Sequence, residues 1–130
     1  MTYVDGFLIP VPKAKLAAYR KFAKLGQRMW MEHGALDYKE CLADDLFSLF
    51  PDEKGRMKKV ASQFPQMAKL KRGETLVFSF IVFKSRAHRD AVNKKVMADP
   101  RMATMDPSAM PVDMTRFGYG GFKAFVEARR

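Results

Sequence analysis

Glu74-Thr75-Leu76-Val77-Phe78-Ser79-Phe80-Ile81-Val82-Phe83-Lys84 decides how the rest of the chain must fold. From Leu76 to Phe83 only Ser79 interrupts the apolar side chains, and apart from Leu76 they are β-branched or aromatic, as suits a strand. The run is far short of the roughly 20 residues that span a bilayer, so no membrane helix is expected. In a strand Leu76, Phe78, Phe80 and Val82 point one way, and Val77, Ile81 and Phe83 the other. An antiparallel sheet with one wet face alternates apolar with polar residues. This strand does not, so both of its faces need cover.

C-terminal to it, Ser85 is a natural N-cap for a helix reaching Asp99, with Ala87, Ala91, Val92 and Val96 expected inward and Pro100 as its stop. Residues 102–113 hold Pro107 and Pro111 and read as loop with a turn or two of helix. Residues 116–127 read as a last strand broken up by glycines. N-terminal to it, residues 46–73 carry Pro51, Gly55 and Pro65 and read as a long connection with one helical turn. Before that, Leu36, Tyr38, Glu40 and Leu42 alternate against Asp37, Lys39 and Cys41, a short strand ending at Asp44-Asp45. Leu16, Tyr19, Ala23, Gly26 and Trp30 form a helical stripe that His33-Gly34 closes, with Gly34 suited to the left-handed cap. Residues 2–11 read as the first strand, with Pro10 and Pro12 expected to stop its ladder.

The order strand, helix, strand, strand, helix, strand predicts a single α+β domain over residues 1–130, of ferredoxin-like βαββαβ type: a four-stranded antiparallel sheet with helices on one face. A second copy laid against the other face would supply the missing cover, which predicts a homodimer. The alternative cover is the 46–73 connection folded over that face.

Composition narrows the function classes. Of 130 residues, 48% are hydrophobic and 29% charged, the balance of a folded globular chain. Cys41 is the only cysteine, so no intramolecular disulfide can form, and it reads as an inert thiol. With no secretory pattern at Met1-Thr2-Tyr3-Val4-Asp5, a cytoplasmic location is expected. The formal charge of +10 is spread along the chain, for example over Lys13, Lys15, Arg20, Lys21, Lys24 and Arg28 on one helix. Such a surface attracts polyanions weakly and loses them as salt rises. Arg116-Phe117-Gly118-Tyr119-Gly120-Gly121-Phe122-Lys123-Ala124-Phe125 has the rhythm of a base-stacking RNA motif, but on the last strand and without its usual partner on the first. No specific nucleic-acid partner is expected.

His33 and His88 lack metal-ligand spacing to any Cys or carboxylate, and no nucleophile elbow, Walker loop, dinucleotide fingerprint or HExxH is present. Neither a metal nor a cofactor is expected. Four ionisable residues could face a pocket between sheet and helices. His88 and Asp5 are the candidates for proton transfer, and Tyr38 and Tyr119 for ligand orientation, although each also reads as an ordinary capping, strand-edge or core residue. The functional expectation is a small apolar or aromatic molecule bound or transformed without a cofactor. The alternatives are a non-catalytic stress or interaction protein and a weak, non-specific nucleic-acid binder.

Tyr3-Val4-Asp5-Gly6-Phe7, His33-Gly34-Ala35-Leu36-Asp37-Tyr38, Lys84-Ser85-Arg86-Ala87-His88-Arg89-Asp90-Ala91-Val92-Asn93 and Met97-Ala98-Asp99-Pro100-Arg101, with the closing Tyr119-Gly120-Gly121-Phe122, resemble the bacterial YbaA-like family of unknown function. That family is in turn similar to the dimeric α+β barrel superfamily, which includes cofactor-independent monooxygenases, pigment-forming enzymes and stress-induced proteins. The resemblance implies a dimeric α+β barrel with any ligand held in the barrel interior. Residues 46–67 look longer and more basic than the connection usual in the family. Fold alone does not fix activity, so the resemblance implies an architecture and no mechanism.

Overall fold

The computed structural model describes residues 1–47, 49–59, 63–105 and 110–130. Strand β1 (Tyr3–Pro12) leads through a 3-10 turn at Lys13–Lys15 into helix α1 (Leu16–Glu32) and strand β2 (Asp37–Leu42). A small hairpin, β3 (Leu49–Pro51) with β4 (Met57–Lys59), and one helical turn, α2 (Phe64–Met67), fill the long connection. Strand β5 (Glu74–Phe83), helix α3 (Arg86–Met97), 3-10 turns at Pro100–Thr104 and Met114–Arg116, and strand β6 (Gly118–Lys123) complete the chain.

The main sheet has the order β2-β5-β1-β6, antiparallel throughout, with β1 and β5 paired from Tyr3↔Phe83 to Pro12↔Glu74. Its two edges, β2 and β6, lie on opposite sides and do not pair with each other. Closing a barrel requires its first and last strands to join. The sheet is therefore open, and the expected dimeric α+β barrel is incorrect: what exists is an α+β fold with a four-stranded open sheet and its two long helices on one face.

Pro10 does not stop β1, which runs on to end at Pro12. Strand β6 leaves β1 after Leu8↔Gly118, so both prolines stand where β1 has only β5 as a neighbour, the edge setting in which a missing N–H is tolerated.

The helix-covered face carries the core. Ile9, Val11 and Val77 pack with Tyr19 and Ala23 of α1, while Ile81 and Phe83 pack with Met29 of α1, Ala35, and Val92 and Val96 of α3. Gly34 closes α1 at φ 118°, the left-handed region that a side chain resists. Ser85 caps α3 by accepting the His88 N–H. Ala87 and Ala91, expected inward, are exposed, and Arg89 and Asn93 share the covered side with Val92 and Val96. Polar side chains with partners below took positions that hydrophobic periodicity alone assigned to alanine. On the other face Phe64 of α2 lies 6.2 Å from Phe78, so the connection shields one end of that surface.

Candidate functional site beneath the first helix

Register sets two rows of side chains across the helix-covered face. One runs Tyr38, Ile81, Asp5, Gly121 from β2 to β6, and the next runs Glu40, Ser79, Phe7, Tyr119. A carboxylate sits in each row, Glu40 on the edge strand β2 and Asp5 on the central strand β1.

Glu40 lies under α1. The Tyr19 hydroxyl donates to its Oε1 at 2.9 Å, and the Tyr38 hydroxyl reaches the same oxygen at 3.4 Å, a looser contact. Its Oε2 is buried with no hydrogen-bond partner among the described residues. Burial pushes both phenols well above the ordinary tyrosine value, and the nearby Glu40 charge adds to the push. Gly26 of α1 makes room: a Cβ there would stand 3.1 Å from the Tyr38 hydroxyl.

Two hollows share these groups. One, of about 420 Å³, opens between α1 and β2, with Leu16, Ala23 and Val77 as walls and Arg20, Lys24 and Gln27 along its helical rim. The other, of about 260 Å³, continues toward Trp30, Met102 and Phe117. Trp30 is fixed by donating its Nε1–H to Asn93 Oδ1 at 3.0 Å. Tyr19, Ala23, Tyr38 and Glu40 line both. Tyr38 was expected at a pocket. Glu40 and Tyr19 were not, although a glutamate alternating with Leu36, Tyr38 and Leu42 on the apolar side of a strand is the signal that could have found one of them.

Asp5, only 2% exposed, lies under α3 and is paired with a cation. Arg89 Nη1 donates to Asp5 Oδ1 at 2.8 Å and to the Tyr119 hydroxyl at 3.0 Å, and its Nε donates to Asp90 Oδ1 at 2.7 Å. The guanidinium also stands 4.9 Å over the Tyr3 ring. Burial pushes the Asp5 carboxyl upward while Arg89 pulls against it. The structure thus joins Asp5 to Tyr119 through Arg89. No hydrogen bond joins His88 to Asp5; His88 Nδ1 accepts the Lys84 N–H at 2.9 Å, and its ring edge faces Phe83.

Elsewhere, His33, Arg101 and Glu32 gather around Asp99 and tie the ends of α1 and α3 together. Tyr119 and Phe122 of the RNA-like run point to opposite faces: Tyr119 sits against Phe7, and Phe122 lines the surface around Gly6 and Phe78. Cys41 is exposed and paired across from Phe78. Among the described residues no group of three His, Cys, Asp or Glu could hold a metal ion, and no helix is long and apolar enough to cross a membrane.

The chain is 40% identical over 127 residues to the uncharacterized protein YbaA of Escherichia coli strain K12, covering 98% of this chain and 99% of that protein. The same figures hold for YbaA of Escherichia coli O157:H7 and of Shigella flexneri. The family described as "Protein of unknown function (DUF1428)" matches residues 2–114, a span that contains both carboxylate clusters except Tyr119. A match of that extent places the chain in the DUF1428 family of bacterial YbaA-like proteins, whose function is unknown.

Proposed function

We propose that the protein binds a small organic molecule with an apolar or aromatic body in the hollow between α1 and the sheet. The observation that carries this reading is Glu40, a carboxylate with one buried oxygen unpartnered, set in the apolar walls of a cleft of about 420 Å³. Ligand sites are typically about 300–1,000 Å³, mostly apolar, with a few convergent polar groups. An unmet buried acceptor costs about 1–3 kcal/mol. A donor on a ligand would recover that cost. The test is a thermal-shift screen of aromatic and polyketide-like compounds, repeated on Leu42→Trp, which narrows the hollow from its exposed edge. A ligand at about 100 times its Kd should add about 2.7 kcal/mol of stability. Hits should lose their shift in the variant; an absence of hits, or hits indifferent to Leu42→Trp, would count against the hollow.

A second reading concerns the sheet face without long helices. Phe78 is 46% and Phe122 63% exposed there, and with Leu8, Phe64 and Phe80 they line an apolar depression of about 600 Å³. A contiguous apolar patch of this kind marks an association surface. We assign it to a second copy of the chain, face against face. Light scattering at micromolar concentration should give a dimer mass, and Phe78→Asp or Phe122→Asp should shift it to monomer. A wild-type monomer would overturn this reading and leave the first untouched.

A further inference from the structure

We infer that the ligand of the α1 hollow carries an anionic group at one end and a hydroxyl donor at the other, the chemistry of a hydroxyaryl carboxylate. The inference rests on the reading that this hollow binds a small molecule, and it adds the polar ends. Arg20, Lys24 and Gln27 follow one another at four- and three-residue spacing, so their side chains stand in one row along α1. All three are exposed, and none of these side chains has a hydrogen-bond or ion-pair partner among the described residues. Among the described residues Glu40 is the only acidic one lining the same space. The hollow is therefore polarised, with two cations and an amide at its mouth and one carboxylate at its depth.

Each end selects by charge. A guanidinium presents paired N–H groups that match a carboxylate, and Lys24 one turn away adds a second positive charge. A cationic ligand would be repelled on entry by the same two groups, even though Glu40 alone would suit it. Between the ends Leu16, Ala23 and Val77 offer apolar walls suited to a ring. At the far end a neutral hydroxyl can donate to the carboxylate, a hydrogen bond strengthened by charge. Oε2 is closed to solvent in the free protein, so the ligand reaches it by displacing the loose 3.4 Å contact that Tyr38 makes to Oε1, which frees the carboxylate to turn Oε2 toward the hollow. Tyr19, at 2.9 Å, keeps hold of Oε1 meanwhile.

Three probes of similar shape separate the contributions: phloretate has both ends, hydrocinnamate lacks the hydroxyl, and tyramine replaces the carboxylate by an amine. Titration calorimetry on the full chain should show phloretate binding about tenfold or more tightly than either of the others. The double variant Arg20→Gln/Lys24→Gln, on exposed positions that leave the core intact, should erase the preference for phloretate over tyramine. Glu40→Gln should erase the preference for phloretate over hydrocinnamate while keeping the preference for the acid. Tyramine binding as tightly as phloretate, or hydrocinnamate matching it, overturns the assignment of the ends and leaves the hollow as a binding site. Failure of phloretate to bind also overturns it, and if neutral aromatic compounds fail as well, the binding reading falls with it.

Discussion

Asp5 and Glu40 are two carboxylates set in adjacent rows of one sheet face, one beneath each long helix, and they are finished in opposite ways. Asp5 has a guanidinium in contact, and that guanidinium is itself occupied by Tyr119, Asp90 and the Tyr3 ring. Among the described residues Glu40 has no cation in hydrogen-bond contact, only two tyrosine hydroxyls on one oxygen. A buried charge fully paired serves to fix one arrangement of the elements around it, and removing its partner is costly. One left half-satisfied beside open space keeps capacity for another group. The α3 side of the sheet is thus a closed joint, and the α1 side is where a ligand has something to add.

The joint should break hardest. Arg89→Met leaves Asp5 buried and unpaired, and should lower stability by about 3–5 kcal/mol in urea unfolding. Adding Asp5→Asn should restore part of the loss, since the charge left stranded is then gone. A loss below about 1 kcal/mol would show that Asp5 finds water or another partner, and the contrast with Glu40 would collapse.

Gly121→Ala tests the same joint from the sheet side. A Cβ at this position would stand 2.3 Å from the Tyr3 hydroxyl, with the ring itself 3.0 Å away. Tyr3 must move, and its place under Arg89 goes with it. The expected cost is about 1 kcal/mol, the low end of overpacking, because Gly121 is exposed on the edge strand β6 and only the Tyr3 side must give. The loss should be smaller when Tyr3→Phe is already present, which a double-mutant cycle reads directly.

Glu40→Gln should behave differently from any change at Asp5. It removes a buried charge that no cation in contact compensates, and it keeps an oxygen for Tyr19. Stability should change by less than about 1 kcal/mol while ligand affinity falls, the separation expected where a site is held at some expense to the fold. A loss comparable to that of Arg89→Met would make Glu40 a structural residue.

This contrast was only half written in the sequence. The β5 run and the β1 pattern gave the central strands because apolar β-formers fill both, and Ser85 and Gly34 marked helix ends through local chemistry that needs no tertiary partner. Arg89 was hidden because a charged residue on an inward helix position is explained only by Asp5, 84 residues away. Glu40 was hidden for the same reason, its partner Tyr19 lying on another element. The β3–β4 hairpin left no trace since its strands are three residues each, and Leu49, Phe50, Pro51, Met57 and Lys58 are all exposed, so they produce no alternation. The barrel came from family resemblance alone; the open edges at β2 and β6 are set by pairing that no single strand reveals.

The smallest expected effect is read at alkaline pH. Tyr19 and Tyr38 both have folded values raised above the ordinary 10.0, by burial first and by the Glu40 charge second. In the window that begins at that value the folded protein holds protons the unfolded chain has released, so stability must fall as pH rises through it. Below that window the contribution is complete. Removing the Glu40 charge leaves the burial contribution and takes away the second cause, so Glu40→Gln should lose stability less steeply above pH 10 and ionise its buried phenols earlier by phenolate absorbance. Thermal unfolding of the two proteins across this range compares like with like, because every lysine and arginine is common to both. Identical curves would mean that burial alone raises the two phenols and that the Glu40 carboxylate does not act on them.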